Sequence, residues 1–528
     1  MRVAHNDGEV RELYAVARDE AARSFGDDRL LVEKFVTAPR HIEIQLVADG
    51  KGHVACFPER ECSVQRRNQK VLEEAPSPFL MDKPELRKEM QRQAAMLAHS
   101  VGYASAGTVE MLADGQTGDF YFLEMNTRLQ VEHPVTEAVA GEDLVELMLR
   151  VADGQELPDH LKGTKDEFCA VPFNGWAVEA RVYAEDCERG FVPSTGVMTA
   201  YAEPPGCAKF GFDGPEDLVR VDSAVEDGAA VSIHYDPMIA KLVGRGPDRA
   251  AALATTAAAL DAYVVEGLVH NVPFCRAVCG HPTFAGGVYT TAFLEEHYSN
   301  ENSFREAGVL TTLADDEPAA AAELAALVVG VDAATREARG EADLEEGPQI
   351  VVLAPPRAGD AVREFEVSQT DADGAYAVRR LDGTGDVVET TLSAAWAPLA
   401  APIIQVGGAT VQYLPVPAAP GFDHALRVRG CRVDAVVRTP AEHALCGYAL
   451  PPPPPESLAG LKCPMPGTLL SFSAAPGDVV EEGQPLAVVE AMKMQNILRA
   501  EHKVTVESLC ADVGEVVAAD QVLIKFVV

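Results

Sequence analysis

No apolar run in this chain reaches the ~18 residues that a membrane-spanning helix requires, so no span is expected. Basic residues are scarce: Lys and Arg number 44 against 81 Asp and Glu, for a formal net charge of −37 at pH 7. That acidic balance excludes nucleic acid and anionic membrane surfaces as bulk partners, because both would be repelled. It leaves room for a small anionic substrate, which needs only a local basic pocket. The 11 cysteines form no CxxC pair and no even framework, which fits a reducing compartment. Cys275, Cys279 and His281 stand near one another, but structural zinc wants four converging ligands, and a helix end is the simpler reading. The first residues given do not read as a secretory signal. "MRVAHNDGEVRELYAVARDEAARSFG" has no apolar core and too many acidic residues for a transit peptide. It reads as the middle of a domain, with an amphipathic helix carrying Val10, Leu13, Tyr14 and Ala17 on one face.

What is present is length and a globular balance. The 528 residues, 47% hydrophobic and 24% charged, suffice for three or four domains. Strand and helix patterns alternate over 1–165 and again over 174–299. "HIEIQLVAD" and "DFYFLEMN" read as strands, and "KPELRKEMQRQAAMLAHSVG" as a helix with Pro84 near its start. Over 315–447 the character changes. Asp315, Asp316 and Glu317 before Pro318 form a helix start. An Ala-rich helix follows, then short strands such as "REFEVSQT" and "HALRVRGCRVDAVVRT". One helix and then a run of strands predicts a barrel or sandwich with the helix against or through it. The Pro-rich linker 448–460 contains "PPPPPE", an extended spacer. Residues 461–528 form a compact all-β module punctuated by Gly467, Gly477, Gly483 and Gly514. The expected class is a multidomain α+β chain.

In the last module "PGDVVEEGQPLAVVE" is echoed by "VGEVVAADQVLIKFV", and Lys493 lies between the halves, where a hairpin tip falls. A tip lysine is sterically open, as an enzyme that modifies a folded domain requires. The segment resembles the biotinyl domain of biotin-dependent carboxylases, whose hallmark Ala-Met-Lys-Met is matched by Ala491, Met492, Lys493 and Met494. The resemblance implies biotin attached covalently to Lys493 by a biotin protein ligase, on a flattened all-β barrel. Lipoyl domains generally carry Asp-Lys-Ala at that tip, so the methionines argue against lipoate; a lipoyl-type acyl carrier is the minor alternative. A group on a long lysine arm behind a semi-rigid spacer gains effective concentration at two separate sites.

A second constellation lies upstream. In "YFLEMNTRLQVEHPV" Glu124 and Asn126 alternate on a strand and face one side. They offer the hard oxygen ligands that Mg²⁺ prefers, with Glu110 of "GTVEML" as a cross-strand partner. Arg128, Gln130, Val131 and Glu132 turn away from the strand end around a space for a small anion, and "ECSVQRRNQKVLEEAP" adds Arg66, Arg67 and Lys70. Residues 31–299 resemble the central and C-terminal parts of an ATP-grasp biotin carboxylase. The resemblance rests on "VEKFVTAPRHIEIQ", "QRRNQK", "EEAPSP", "EMNTRLQVEHPVTE" and "YDPMIAKL". It implies that Glu33, Lys34 and Val36 line the adenine pocket, and that His41, Gln65, Asn68, Glu110 and Glu124 belong to the ATP site. Glu110, Glu124 and Asn126 would hold Mg²⁺ (or Mn²⁺). Lys70, Arg128, Gln130 and Val131 would bind bicarbonate, Glu132 would be the base, and Arg220 in "VRVDSAV" would stabilise the enolate form of biotin. The implied chemistry is carboxyphosphate formation from ATP and bicarbonate, its breakdown to CO₂, and uptake of CO₂ by biotin beside a guanidinium.

Asn68 stands where many biotin carboxylases have histidine. With "NGWAVEARVYAED" and "YVVEGLVHNV", it points to propionyl-CoA-type alpha chains over methylcrotonyl-, acetyl- or geranyl-CoA types. Met1-Arg2 resembles the residues just after the family's Gly-rich phosphate-covering loop. An N-terminally truncated chain, inactive alone in ATP chemistry, is therefore expected, with a non-catalytic biotin carrier and docking scaffold as the alternative. Residues 315–447 sit where such alpha chains dock their partner. The chain has no carboxyltransferase domain, so the resemblance implies a carboxyltransferase beta subunit in an alpha6beta6 hetero-oligomer that makes methylmalonyl-CoA. The implied compartment is the mitochondrial matrix in a eukaryote or the cytoplasm in a bacterium.

Overall fold

The computed structural model describes residues 2–164, 167–187, 190–212, 214, 217–223, 225–232, 235–298, 318–339, 347–353, 363–370, 375–381, 387–391, 403–406, 409–414, 422–428, 431–446, 448, 460–464, 466–481, 483–491, 494–500, 503–518 and 520–527. Lys493, the proline run 451–456 and the helix start at Asp315–Glu317 lie outside the described residues. Two units are distinguished, one of residues 1–174 and 287–295 and one of 175–286 and 296–528. Among the described residues no helix is long and apolar enough to cross a membrane.

The first unit contains, in order, α1 (Asp7–Phe25), β1 (Pro39–Asp49), β2 (Val54–Cys56), β3 (Arg60–Arg66), β4 (Gln69–Ala75), α2 (Pro84–Ser100), β5 (Ala104–Asp114), β6 (Phe120–Asn126), α3 (His133–Ala140) and α4 (Leu144–Ala152). Asn6 caps α1 by accepting from the backbone N–H groups of Gly8 and Glu9, which satisfies donors that the first turn leaves open. Val10 and Tyr14 nevertheless stay exposed, so the apolar face expected on this helix buries little. β1 is the centre of the antiparallel sheet. It pairs with β5 along its whole length, from Pro39↔Asp114 to Asp49↔Ala104, and on its other edge with β3 and β2. One face of β1 presents Ile42, Ile44, Leu46 and Ala48, which pack with Val109 and Met111 against Met90, Ala94, Ala95 and Ala98 of α2. The opposite face presents His41, Glu43 and Gln45, all buried. A strand with both faces covered here divides into an apolar side and a polar side.

In the second unit the strands Trp176–Tyr183, Met238–Gly246 and Val219–Ser223 pair antiparallel, and the helix Arg249–Asp261 starts at its cap Asp248. Cys275 and Cys279 are buried in the helix Val272–Gly280, and His281 caps the next helix by accepting from the Thr283 N–H. The helix Pro318–Arg339 buries Leu324 through Val329 and then Val331. Burial at consecutive positions covers the whole circumference, so this helix must be enclosed on all sides. An eight-stranded antiparallel sheet does this, contributing Val351, Leu353, Phe365, Val367, Val378, Val411 and Leu426 to the same core.

The C-terminal module has two four-stranded sheets whose halves repeat one another. Gly477 and Gly514 occupy equivalent turns at φ +93° and +92°, a region open to glycine at little cost. The turn bond from Ala475 N–H to Asp478 (2.8 Å) recurs from Asp512 N–H to Glu515 (2.9 Å). Likewise Glu481 N–H to Gln484 (3.1 Å) recurs as Ala518 N–H to Gln521 (2.9 Å). Strands Pro485–Ala491 and Met494–Arg499 pair as a hairpin closed by Ala491↔Met494, so Met492 and Lys493 are the two residues between the paired ends.

Candidate active site

Strand register assembles the site in the first unit. Arg60 of β3 stands opposite Glu43 of β1, Glu43 opposite Glu110 of β5, and Glu110 opposite Glu124 of β6. One row across four strands thus carries an arginine and three carboxylates. Lys70 enters from the β3–β4 hairpin, where it pairs with Gln65. The two central residues of that hairpin, Arg67 and Asn68, have φ of 49° and 68°. Tight hairpin turns need positive φ at both positions, and asparagine tolerates it better than most residues. Asn68 is therefore explained by the turn, and its side chain is exposed at the tip.

Lys70 is shared among three carboxylates. Its Nζ donates to Glu132 at 2.7 Å and Glu110 at 3.3 Å, and it also contacts Glu43. Burial opposes charge on Lys70, but Glu43 and its neighbours outweigh that and raise its pKa. Glu43 is fully buried. Desolvation alone would push its carboxyl up, but Lys70 and Arg60 hold it well below the usual range. His41 donates from Nε2 to Glu110 at 2.9 Å and lies 3.3 Å from Glu43. Burial again works against its charge, yet those two carboxylates raise its pKa to about 9. Three acidic side chains (Glu43, Glu110, Glu132) therefore meet three basic ones (Lys70, Arg60, His41). Balanced pairing of this kind is what lets charge persist in a buried place.

Of the rest of the expected set, Gln130, Gln65, Glu132 and Val131 adjoin this cluster, and each of the others has its own surroundings. Gln130 donates from Nε2 to Glu110 at 2.7 Å, and Gln65 approaches His41 at 3.4 Å. Glu132 is buried at the N-terminus of α3, where a helix end favours a carboxylate. Val131 is half-buried beside it, and Arg128 is exposed with its guanidinium on the Leu129 carbonyl at 3.2 Å. Lys34 is exposed against the Tyr121 ring, 4.6 Å from its centre. Glu33 is exposed nearby in sequence, and Val36 is buried. Arg220 belongs to the second unit. It is buried and forks onto Asp222 at 2.7 and 2.8 Å, while Lys241 meets the same carboxylate at 3.1 Å.

Glu110, Glu124 and Asn126 suit a hard cation. The Asn126 amide nitrogen sits between Glu110 at 2.8 Å and Glu124 at 3.3 Å, so these three residues would be the ones to hold a metal ion. Turning that amide over presents its oxygen instead, and three oxygen ligands match Mg²⁺. The inner trio His41, Glu43 and Glu110 also converges, but Lys70 and Arg60 already neutralise it.

Glu43 and Arg60 were not among the residues singled out from sequence. The only available signal was the alternation of "HIEIQ". Nothing in one chain's sequence says that Glu43 falls opposite Glu110.

Comparison with known proteins follows the same lines. The family model described as carbamoyl-phosphate synthase L chain, ATP binding domain, matches residues 1–160. The biotin carboxylase C-terminal domain model matches 179–296, and the biotin-requiring enzyme model matches 459–526. The propionyl-CoA carboxylase alpha chain of Ruegeria pomeroyi is 44% identical over 100% of this chain and 75% of its own length. The chain belongs to the biotin-dependent carboxylase alpha chains. The mitochondrial propionyl-CoA carboxylase alpha chain of Homo sapiens is 40% identical over 99% of this chain and 68% of its own. The methylcrotonoyl-CoA carboxylase subunit alpha of Oryza sativa is more distant, at 36% over 99% and 71%. Among solved structures, the biotin carboxylase domain of a thermophilic 2-oxoglutarate carboxylase bound to bicarbonate is 38% identical with a TM-score of 0.51. The match covers 57% of this chain and 63% of that one. The Hydrogenobacter thermophilus domain with MgADP and bicarbonate gives 38% and 0.50, over 57% and 62%.

Proposed function

We propose that this carboxylase alpha chain uses ATP and bicarbonate to carboxylate biotin on Lys493. A separate carboxyltransferase beta subunit then passes the carboxyl group to propionyl-CoA. The observation that carries this is Glu132 held 2.7 Å from Lys70, in a buried cluster where that lysine stays charged. Bicarbonate seats against Lys70, Arg128, Gln130 and the Val131 backbone. Glu132 takes its proton as the freed oxygen attacks the γ-phosphate of ATP. Glu43 keeps Lys70 anchored while Glu132 changes its protonation. His41, Gln65 and Asn68 flank the nucleotide, with Glu33, Lys34 and Val36 beside the adenine. Glu110, Glu124 and Asn126 would hold Mg²⁺, which neutralises phosphate charge. Biotin, when attached, supplies the ureido nitrogen that receives the carboxyl group. Arg220, oriented by its fork onto Asp222, offers a fixed guanidinium to developing negative charge. The propionyl-CoA assignment rests on the higher identity to those alpha chains than to the methylcrotonoyl one. Residues 315–447 are the docking region for the beta subunit. The mitochondrial relatives support the mitochondrial matrix for a eukaryotic source, with the cytoplasm for a bacterial one.

Co-expression with a biotin protein ligase tests the carrier assignment. One biotinyl group should map to Lys493 by peptide mass spectrometry and vanish in Lys493→Arg; a lipoyl mass there would refute it. Bicarbonate-dependent ATP hydrolysis lost in Glu132→Gln separates an enzyme from a carrier scaffold. Carboxylation of propionyl-CoA over methylcrotonyl-CoA, with the beta subunit added, decides the acyl group.

A further inference from the structure

Arg60 has no assigned part in the reaction, yet its guanidinium joins five side chains in and behind the site. It is fully buried. Its guanidinium donates to Glu43 at 2.9 and 3.1 Å, to Gln45 at 2.8 Å, to Thr136 at 3.1 Å and to Thr108 at 3.2 Å. It also donates to the side-chain oxygen of Gln130. These acceptors come from β1, β5, α3 and the turn before α3. One planar group therefore ties the sheet to the segment that carries Gln130 and Glu132.

The contact with Gln130 decides a chemical question. An amide side chain can present either oxygen or N–H, and its two orientations fill almost the same space. Arginine only donates, so the atom facing Arg60 must be the amide oxygen. A carboxylate only accepts, so the atom facing Glu110 at 2.7 Å must be the amide nitrogen. The two neighbours impose the same orientation independently. Gln130 is thereby locked as a donor on the side where its nitrogen lies, and an anion there meets N–H and not a carbonyl-type oxygen.

We infer that Arg60 is a positioning residue for anion binding. It acts through Gln130, by fixing the amide as a donor, and through Glu43, by sharing the carboxylate that anchors Lys70. This rests on the bicarbonate role proposed above for Gln130 and Lys70. Lysine at position 60 would keep the charge that Glu43 needs. It would lose the fork, because an ammonium is a compact point charge and cannot serve five acceptors across four elements. The Gln130 amide would then be held in its donor orientation by Glu110 alone, without the second contact that keeps it fixed beside the anion.

Calorimetric titration with bicarbonate, and separately with MgADP, tests this on the full chain and on Arg60→Lys. The isosteric Thr136→Val, which removes one anchor of the guanidinium and no charge, is the second variant. Expected is a bicarbonate affinity weakened about tenfold or more in Arg60→Lys and a few-fold in Thr136→Val, with MgADP affinity unchanged. If Arg60→Lys fails to fold, Thr136→Val decides by the same criterion. Unchanged bicarbonate affinity in folded variants overturns the positioning role. So does an equal loss of both ligands, which marks a merely structural residue. A wild-type chain that binds bicarbonate with the expected variant pattern but hydrolyses no ATP supports Arg60 and makes the chain by itself a carrier scaffold, overturning only the proposal that it runs the ATP step alone. A wild-type chain that binds no bicarbonate overturns both.

Discussion

Two strands in this molecule carry the same sequence signal and meet opposite fates. "HIEIQLV" in β1 and "REFEVSQ" in Arg363–Gln369 both alternate polar and apolar residues. In the second strand Phe365 and Val367 face the enclosed helix, and Glu364 and Glu366 remain half-buried at the outer surface. In β1 the apolar residues are buried too, but so are His41, Glu43 and Gln45. Alternation reports which residues share a face. It does not report whether the polar face meets solvent or a second layer of the protein. The outer face of one strand is a surface, and the equivalent face of the other is the floor of the candidate site.

Substitutions can break or sharpen that contrast. The largest effect is expected for Glu43→Ala, which leaves Lys70 and Arg60 buried beside an empty position. Breaking a buried pair from one side costs about 3–5 kcal/mol, visible as faster hydrogen exchange of the β1 amides. Next comes His41. Its pKa rises from 6.5 to about 9 on folding, so its contribution is fully present below pH ~6.5 and is lost as pH rises through about 9. The total is on the order of 3 kcal/mol, and His41→Asn should flatten that alkaline slope in exchange measured between those limits. Asn68→Ala forces an alanine into positive φ at the hairpin tip and should cost roughly 1 kcal/mol, read in the same way from the β4 amides. The smallest effect belongs to Glu366→Ala on the outer strand face. Its partner Arg379 is exposed, and such pairs are worth about 0–1 kcal/mol. A large loss there would erase the distinction between the two strands.

Much of the site was legible because its parts are local. Glu124 and Asn126 lie two apart on one strand, and Gln130, Val131 and Glu132 follow in the turn that starts α3. The hairpin holding Lys70 turns at Arg67-Asn68, which the sequence reading of that stretch as a basic cluster did not include. The biotinyl repeat was legible for the same reason, since each half carries its own glycine turn and side-chain brace. Arg60 and Glu43 were not, because their role depends on strands far apart in sequence coming into register. The apolar face expected on α1 was read correctly as a pattern but not as a burial, since periodicity does not say what covers a face.

By itself, then, the sequence determined the element types and the internal repeat. Those follow from side-chain period, turn chemistry and residues close along the chain. Only the tertiary structure decided that β1's polar face is buried, that Lys70 serves three carboxylates at once, and that Arg60 dictates which end of the Gln130 amide faces its neighbours. Each of these depends on desolvation and on contacts between distant segments. A carboxylate in water and one sealed between an arginine and a lysine are the same letter in the chain, and differ only in what the fold places around them.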